Sequence, residues 1–152
     1  MNRILVAPLA AVVLALAPAT AAAESVDHGS CLNVNATAIG QNLGHGRTTS
    51  TVLHAGILNG TTQGQLQITG GHPPVVTVAG VGVLTAKHGT LTLELTGTLN
   101  QTTGAFEFVG QVVGGTGVFA HATGTLMFSG VQDLTSGTFV NSITGTVCLA
   151  HA

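Results

Sequence analysis

Seven histidines, five carboxylates and two cysteines are the residues of this chain whose chemistry suits catalysis, metal binding or cross-linking. The histidines are His28, His45, His54, His72, His88, His121 and His151. None stands in a His-x-His or His-Glu-x-x-His pair, the spacings that aim two imidazoles at one metal from a single strand or helix. No metal site is therefore expected from spacing, although histidines on separate strands could still meet. His72 and His88 lie among Gly and Pro and read as polar turn residues. The carboxylates are Glu24, Asp27, Glu94, Glu107 and Asp133. Glycoside hydrolysis needs two carboxylates facing each other across one bond, and the spacing here favours no pair. A Gly-x-Ser-x-Gly nucleophile elbow does not occur. Gly115-Thr116-Gly117-Val118-Phe119-Ala120 spells Gly-x-Gly-x-x-Ala, the dinucleotide fingerprint, but that fingerprint works only where a strand enters a helix. The next residues, Ala122 to Phe128, read as strand, so the glycines mark a tight turn and no cofactor is expected. Asn35-Ala36-Thr37, Asn59-Gly60-Thr61 and Asn100-Gln101-Thr102 are formal glycosylation acceptors, which chance supplies in a chain this rich in Thr.

The elements that would position these residues begin after an address. Arg3 precedes an almost unbroken apolar run, Ile4 to Ala17, and Pro18 then leads into Ala19-Thr20-Ala21-Ala22-Ala23. This is the order of a secretory signal peptide, with cleavage expected before Glu24, or after Ala21 as the other option. The run falls short of the ~20 residues of a spanning helix. No later segment is long and apolar enough to span as a helix, so the mature chain, residues 24–152, is expected to be secreted or periplasmic. Only 5% of the 152 residues are charged, against a typical ~25%. Arg3, Arg47 and Lys87 are the only Lys and Arg residues, too few for a basic face that binds nucleic acid.

From residue 24 the chain reads as strands in an all-β fold. Thr, Val and Ile are plentiful, and the 22 Gly interrupt any helical window. In Thr90-Leu91-Thr92-Leu93-Glu94-Leu95-Thr96 the leucines share one face and Glu94 the other. Phe106-Glu107-Phe108 does the same, so both glutamates are expected to face solvent. Turn signals separate about eight strands, near 31–38, 48–58, 64–69, 75–86, 89–99, 105–113, 118–132 and 138–150. Gly97 to Phe106 aligns with Gly130 to Phe139, 33 positions on, and both end in Gly-x-Phe. Gly89-Thr90-Leu91 resembles Gly124-Thr125-Leu126 at an offset of 35, a slip that a longer strand or a bulge would produce. Two similar hairpins in one sheet account for the repeat.

Cys31 opens the first strand and Cys148 closes the last. Two cysteines in an exported chain favour a bridge over free thiols. In a sheet closed on itself, the first and last strands are neighbours. A Cys31–Cys148 disulfide would then clamp the seam of a single antiparallel closed barrel.

Gly114-Gly115-Thr116-Gly117-Val118-Phe119-Ala120-His121-Ala122-Thr123-Gly124 resembles the Gly-Gly-[Thr/Ser]-Gly-x-Phe-x-x-Ala-x-Gly element of the allene oxide cyclase and dirigent barrel superfamily. Similar segments occur in exported bacterial proteins. With the strands around it, the resemblance extends over about residues 75–148. It implies an eight-stranded antiparallel barrel, and a trimer as the family's common assembly. In this element the glycines permit the turn, Phe119 would plug the barrel end, and Ala122 and Gly124 would let the next strand bend. The resemblance implies the scaffold. The family's catalytic residues do not transfer to this chain, whose strands are nearly devoid of charge.

These readings lead to an exported, non-catalytic barrel that binds a small apolar ligand or serves as a surface or assembly module. An alternative is an isomerase or cyclase on a hydrophobic substrate, using polar groups from Glu94, Glu107, Asn33, Asn35 and the histidines. It requires some of these to converge inside the barrel. A third reading is a structural or adhesive surface protein with a neutral outer face of Thr, Ser, Asn and Gln.

Overall fold

A computed structural model of the chain describes residues 29–150. The expected signal peptide, residues 1–23, lies outside them, as do Glu24, Asp27, His28 and His151. Eight antiparallel strands succeed one another around a closed barrel. They are β1 (Cys31–Gly44), β2 (Arg47–Leu53), β3 (Gly60–His72), β4 (Val75–Ala86), β5 (Gly89–Asn100), β6 (Ala105–Gly115), β7 (Thr123–Gln132) and β8 (Thr138–Cys148). Each pairs with its neighbours in sequence, and β8 returns to β1 from Thr138↔Gln41 to Cys148↔Cys31. Closure leaves no sheet edge along the seam, and a Cys31–Cys148 disulfide fastens its end.

Period-two alternation decides what enters the barrel. Leu91 and Leu93 are buried, Leu95 is half-buried, and Glu94 between them is exposed. Glu107 is exposed between Phe106 and Phe108. The outer wall carries Thr with Gln, Asn and Ser, interspersed with exposed apolar residues such as Ile39, Val81, Val131 and Val140.

The sequence repeat is two copies of one turn. Asn100 Oδ1 accepts from the Thr102 and Thr103 amides at 2.9 and 3.0 Å. Asp133 Oδ1 accepts from the Thr135 and Ser136 amides at 2.8 and 3.1 Å. The Gly104 amide then donates to the Asn100 carbonyl, and that of Gly137 to the Asp133 carbonyl, at 2.8 and 2.7 Å. Gly104 and Gly137 have φ of 78° and 77°, the left-handed region that glycine enters without steric cost. The offset of 35 upstream is a difference in strand length, because β5 has 12 residues and β7 has 10.

The structure departs from sequence expectation at the ends of strands. The run expected as one strand over 118–132 instead begins with a 3-10 turn, Gly117–Phe119, and β7 starts at Thr123. The strand expected over 48–58 stops at Leu53, and Gly56–Leu58 forms a second 3-10 turn. Both turns lie at the same end of the barrel and drop one apolar side chain each into it. Phe119 is 0% exposed and Leu58 is 2% exposed. Thr116 holds the first turn in place, its Oγ1 accepting from the Thr90 amide at 3.0 Å while its own amide donates to the Thr90 carbonyl at 2.9 Å. Leu91, Leu126 and Val147 pack in the same core cluster as these two residues.

Candidate functional site

The other end is open. A cavity of about 640 Å³ occupies it, reaching from the mid-barrel residues Leu84 and Ile143 to the rim residues His45, Gly46 and Gln132. This size is within the range of small-molecule sites. Glycines at inward positions leave room for the large side chains that line it. The Phe128 ring lies over Gly110, where an added Cβ would come within 2.9 Å of Phe128 Cε2. The Phe139 ring lies over Gly40 in the same way, too close for any Cβ. Phe106 stacks on Phe108 with centroids 5.3 Å apart and meets Phe139 edge-on at 5.9 Å. Phe106 and Phe139 are equivalent positions of the repeat, so its two copies meet ring to ring in the cavity.

The wall has two characters. Strands β4 to β6 contribute Val78, Leu84, Leu93, Leu95, Phe106 and Phe108. The neighbouring strands β8, β1, β2 and β3 contribute Asn141, Asn42, Thr48, Ser50 and Thr62 alongside apolar residues. Ser50 and Thr62 hydrogen-bond to each other through their hydroxyls. Asn141 is 6% exposed, and its Oδ1 has no hydrogen-bond partner among the described residues. No Asp, Glu, Lys or Arg is among the lining residues.

No family model matches the chain, and no curated protein does.

The residues named from sequence fall in three places. Cys31 and Cys148 are joined at the seam on the plugged side. Gly114 and Gly115 end β6, Thr116 and Gly117 form the turn, Phe119 is enclosed, Ala122 is buried, and Gly124 lies in β7. This segment builds the plug and touches none of the cavity. Glu94, Glu107, Asn33 and Asn35 are all exposed, so they do not converge inside the barrel as a cyclase reading would need. Among the described histidines only His45 reaches the cavity rim. His45, His54 and His121 occupy left-handed backbone with φ of 54°, 63° and 60°, as residues of turns and bends can. Among the described residues, no three His, Cys, Asp or Glu gather as metal ligands would.

Asn141, Ser50 and Thr62 were not singled out from sequence. For Asn141 the signal was present. In Phe139-Val140-Asn141-Ser142-Ile143 it shares the inward face with Phe139 and Ile143, a polar residue where alternation calls for an apolar one.

Proposed function

We propose that this protein is an exported, non-catalytic β-barrel that binds a small apolar ligand at its open end. The observation that carries the reading is the cavity of about 640 Å³, whose wall joins Leu, Val, Ile and Phe with neutral Asn, Gln, Ser and Thr and has no Asp, Glu, Lys or Arg. A concave wall of apolar side chains with polar groups among them is the usual composition of a small-molecule site. The Cys31–Cys148 bridge fits an oxidising compartment, which agrees with export. Among the described residues no helix is long and apolar enough to cross a membrane. The likeness of residues 114–124 to the allene oxide cyclase and dirigent barrels supports the same scaffold and leaves its chemistry open. Native mass spectrometry of the exported protein tests the reading. A mass excess that disappears on denaturation is expected. A bare native mass, together with no fluorescence rise from N-phenyl-1-naphthylamine, overturns it.

One observation favours an assembly role as well. Ile39, Val140 and Val131 are exposed by 53, 56 and 56% on the outer wall. They are direct cross-strand partners along one row through β1, β8 and β7. This row would bury against a second copy of the chain, in the trimer that the resemblance implies. Sedimentation velocity should then show an oligomer that Val140→Lys dissociates, and a monomeric wild type overturns the assembly role.

A further inference from the structure

Resting on the binding reading above, we infer that the ligand is a neutral apolar molecule bearing a hydroxyl group, and that Asn141 binds that hydroxyl. Three observations converge on this class. The first is charge. A bound carboxylate or ammonium would be desolvated in a cavity whose lining has no Asp, Glu, Lys or Arg to pair with it. A neutral ligand carries no such cost.

The second is the state of the polar groups. The Ser50 and Thr62 hydroxyls satisfy each other. Asn141 is the buried exception, with Oδ1 unpaired and the residue 6% exposed. Buried polar atoms are nearly always partnered in native proteins. Asn141 lines the cavity with Oδ1 shut off from it, and a half-turn of the carboxamide, which exchanges oxygen and nitrogen, presents the unpaired oxygen to a ligand. A hydrocarbon would leave Oδ1 unpaired. A hydroxyl donates to Oδ1 and can accept from the amide N–H₂, so it matches a carboxamide in both senses.

The third is how the strand neighbours treat this side chain. Asn141 pairs with Ala38 on β1 and Gly130 on β7. These are the two smallest residue types, and a Cβ on Gly130 would come within 2.5 Å of Asn141 Cβ. Neither neighbour has a side-chain polar group that could bond the amide. Meanwhile Leu93, Leu95, Phe108 and Phe128 supply an apolar wall for the ligand body. The arrangement is that of an amphipathic site, with Asn141 as the unpaired buried group on its polar side and an oily side facing it.

The experiment displaces N-phenyl-1-naphthylamine from the full mature protein with a matched set: decanol, its methyl ether and decanoate. In the wild type, decanol should displace the probe at about tenfold lower concentration than the ether, the discrimination of one good buried hydrogen bond, with decanoate weakest. Asn141→Leu should still bind the probe but treat decanol and ether alike to within about twofold. Asn141→Ala, which cannot overpack, serves as the second variant and should behave the same. If the wild type binds the probe but does not distinguish alcohol from ether, or if both variants keep the distinction, this inference fails and the binding reading stands. If the wild type binds neither probe nor any of the three ligands, the binding reading fails and this inference with it.

Discussion

The two ends of this barrel are made from the same eight strands, yet one is plugged and the other is hollow. At the plugged end the connections β2–β3 and β6–β7 contain 3-10 turns that push Leu58 and Phe119 inward, against Leu91 and Val147. At the hollow end the connections β5–β6 and β7–β8 are tight turns closed on their own backbone, with nothing left over to fold inward. The loops therefore fill one end, while at the other Phe106, Phe128 and Phe139 line an open space. Stability should reside at the plug and binding at the mouth.

Perturbing the plugged end should have the largest effects. The Cys31–Cys148 bridge spans a sequence separation of 117 residues. Closing so long a loop restricts the unfolded chain by about 4–5 kcal/mol on chain-entropy grounds. The double substitution Cys31→Ser with Cys148→Ser should lower the urea-derived unfolding free energy by that order, and reductant should do the same to the wild type. An unchanged midpoint under reductant would show that the seam needs no clamp. Phe119→Ala should cost about 3–5 kcal/mol, because a fully enclosed ring leaves a cavity that rigid strands cannot close. Phe108→Ala, by contrast, should cost about 1–2 kcal/mol, since its ring is half-buried against space that already exists. Equal losses at Phe119 and Phe108 in parallel urea titrations would erase the distinction between the ends. Ser50→Ala should cost about 1 kcal/mol by leaving the Thr62 hydroxyl unpaired.

How much of this could be read from the chain alone depends on where the alternation was strong. Strand β5 is legible because Leu91, Leu93 and Leu95 recur at every second residue, and β6 because Phe106 and Phe108 do. The Asn100 and Asp133 turns are legible because the repeat copies both the Asx residue and the glycine that closes the turn. Strand β1 runs to Gly44 and β3 spans Gly60–His72, further than expected, because the added stretches are rich in Gly, Gln, Asn and Thr, and Ile39 and Leu43 in β1 face outward. Leu58 was hidden inside a β-prone stretch, and so was Phe119 but for its likeness to the Gly-Gly-[Thr/Ser]-Gly-x-Phe element. At Leu58 nothing local separates a strand residue from one swung across the barrel end by a glycine at positive φ, here Gly56 at 60°. Whether the barrel is hollow was not legible either. It depends on which ring covers which inward glycine, a cross-strand fact that appears only once register is known. Asn141 was legible in principle, as a polar break in an apolar face, but its meaning required the cavity.

The smallest effect expected concerns the two equivalent turns at the open rim. They make the same hydrogen bonds, but one is built on Asn100 and the other on Asp133. The Ser136 amide, and then that of Thr135, hold the Asp133 carboxyl below its ordinary value of 3.8, because both donate to the ionised form. A carboxylate whose folded pKa lies below its unfolded one stabilises the fold fully above the unfolded value, and that contribution is lost as pH falls through the folded value. The β7–β8 turn should therefore loosen below about pH 4, while the β5–β6 turn, with no titrating group, should not. Hydrogen exchange corrected for intrinsic rates reads this directly. Protection at Thr135 and Ser136 should fall between pH 5 and about pH 2, while that at Thr102 and Thr103 stays level. Asp133→Asn should make the two turns alike across that range. A loss of protection at both turns in the wild type would mean that acid acts on the barrel as a whole and not on this rim carboxylate.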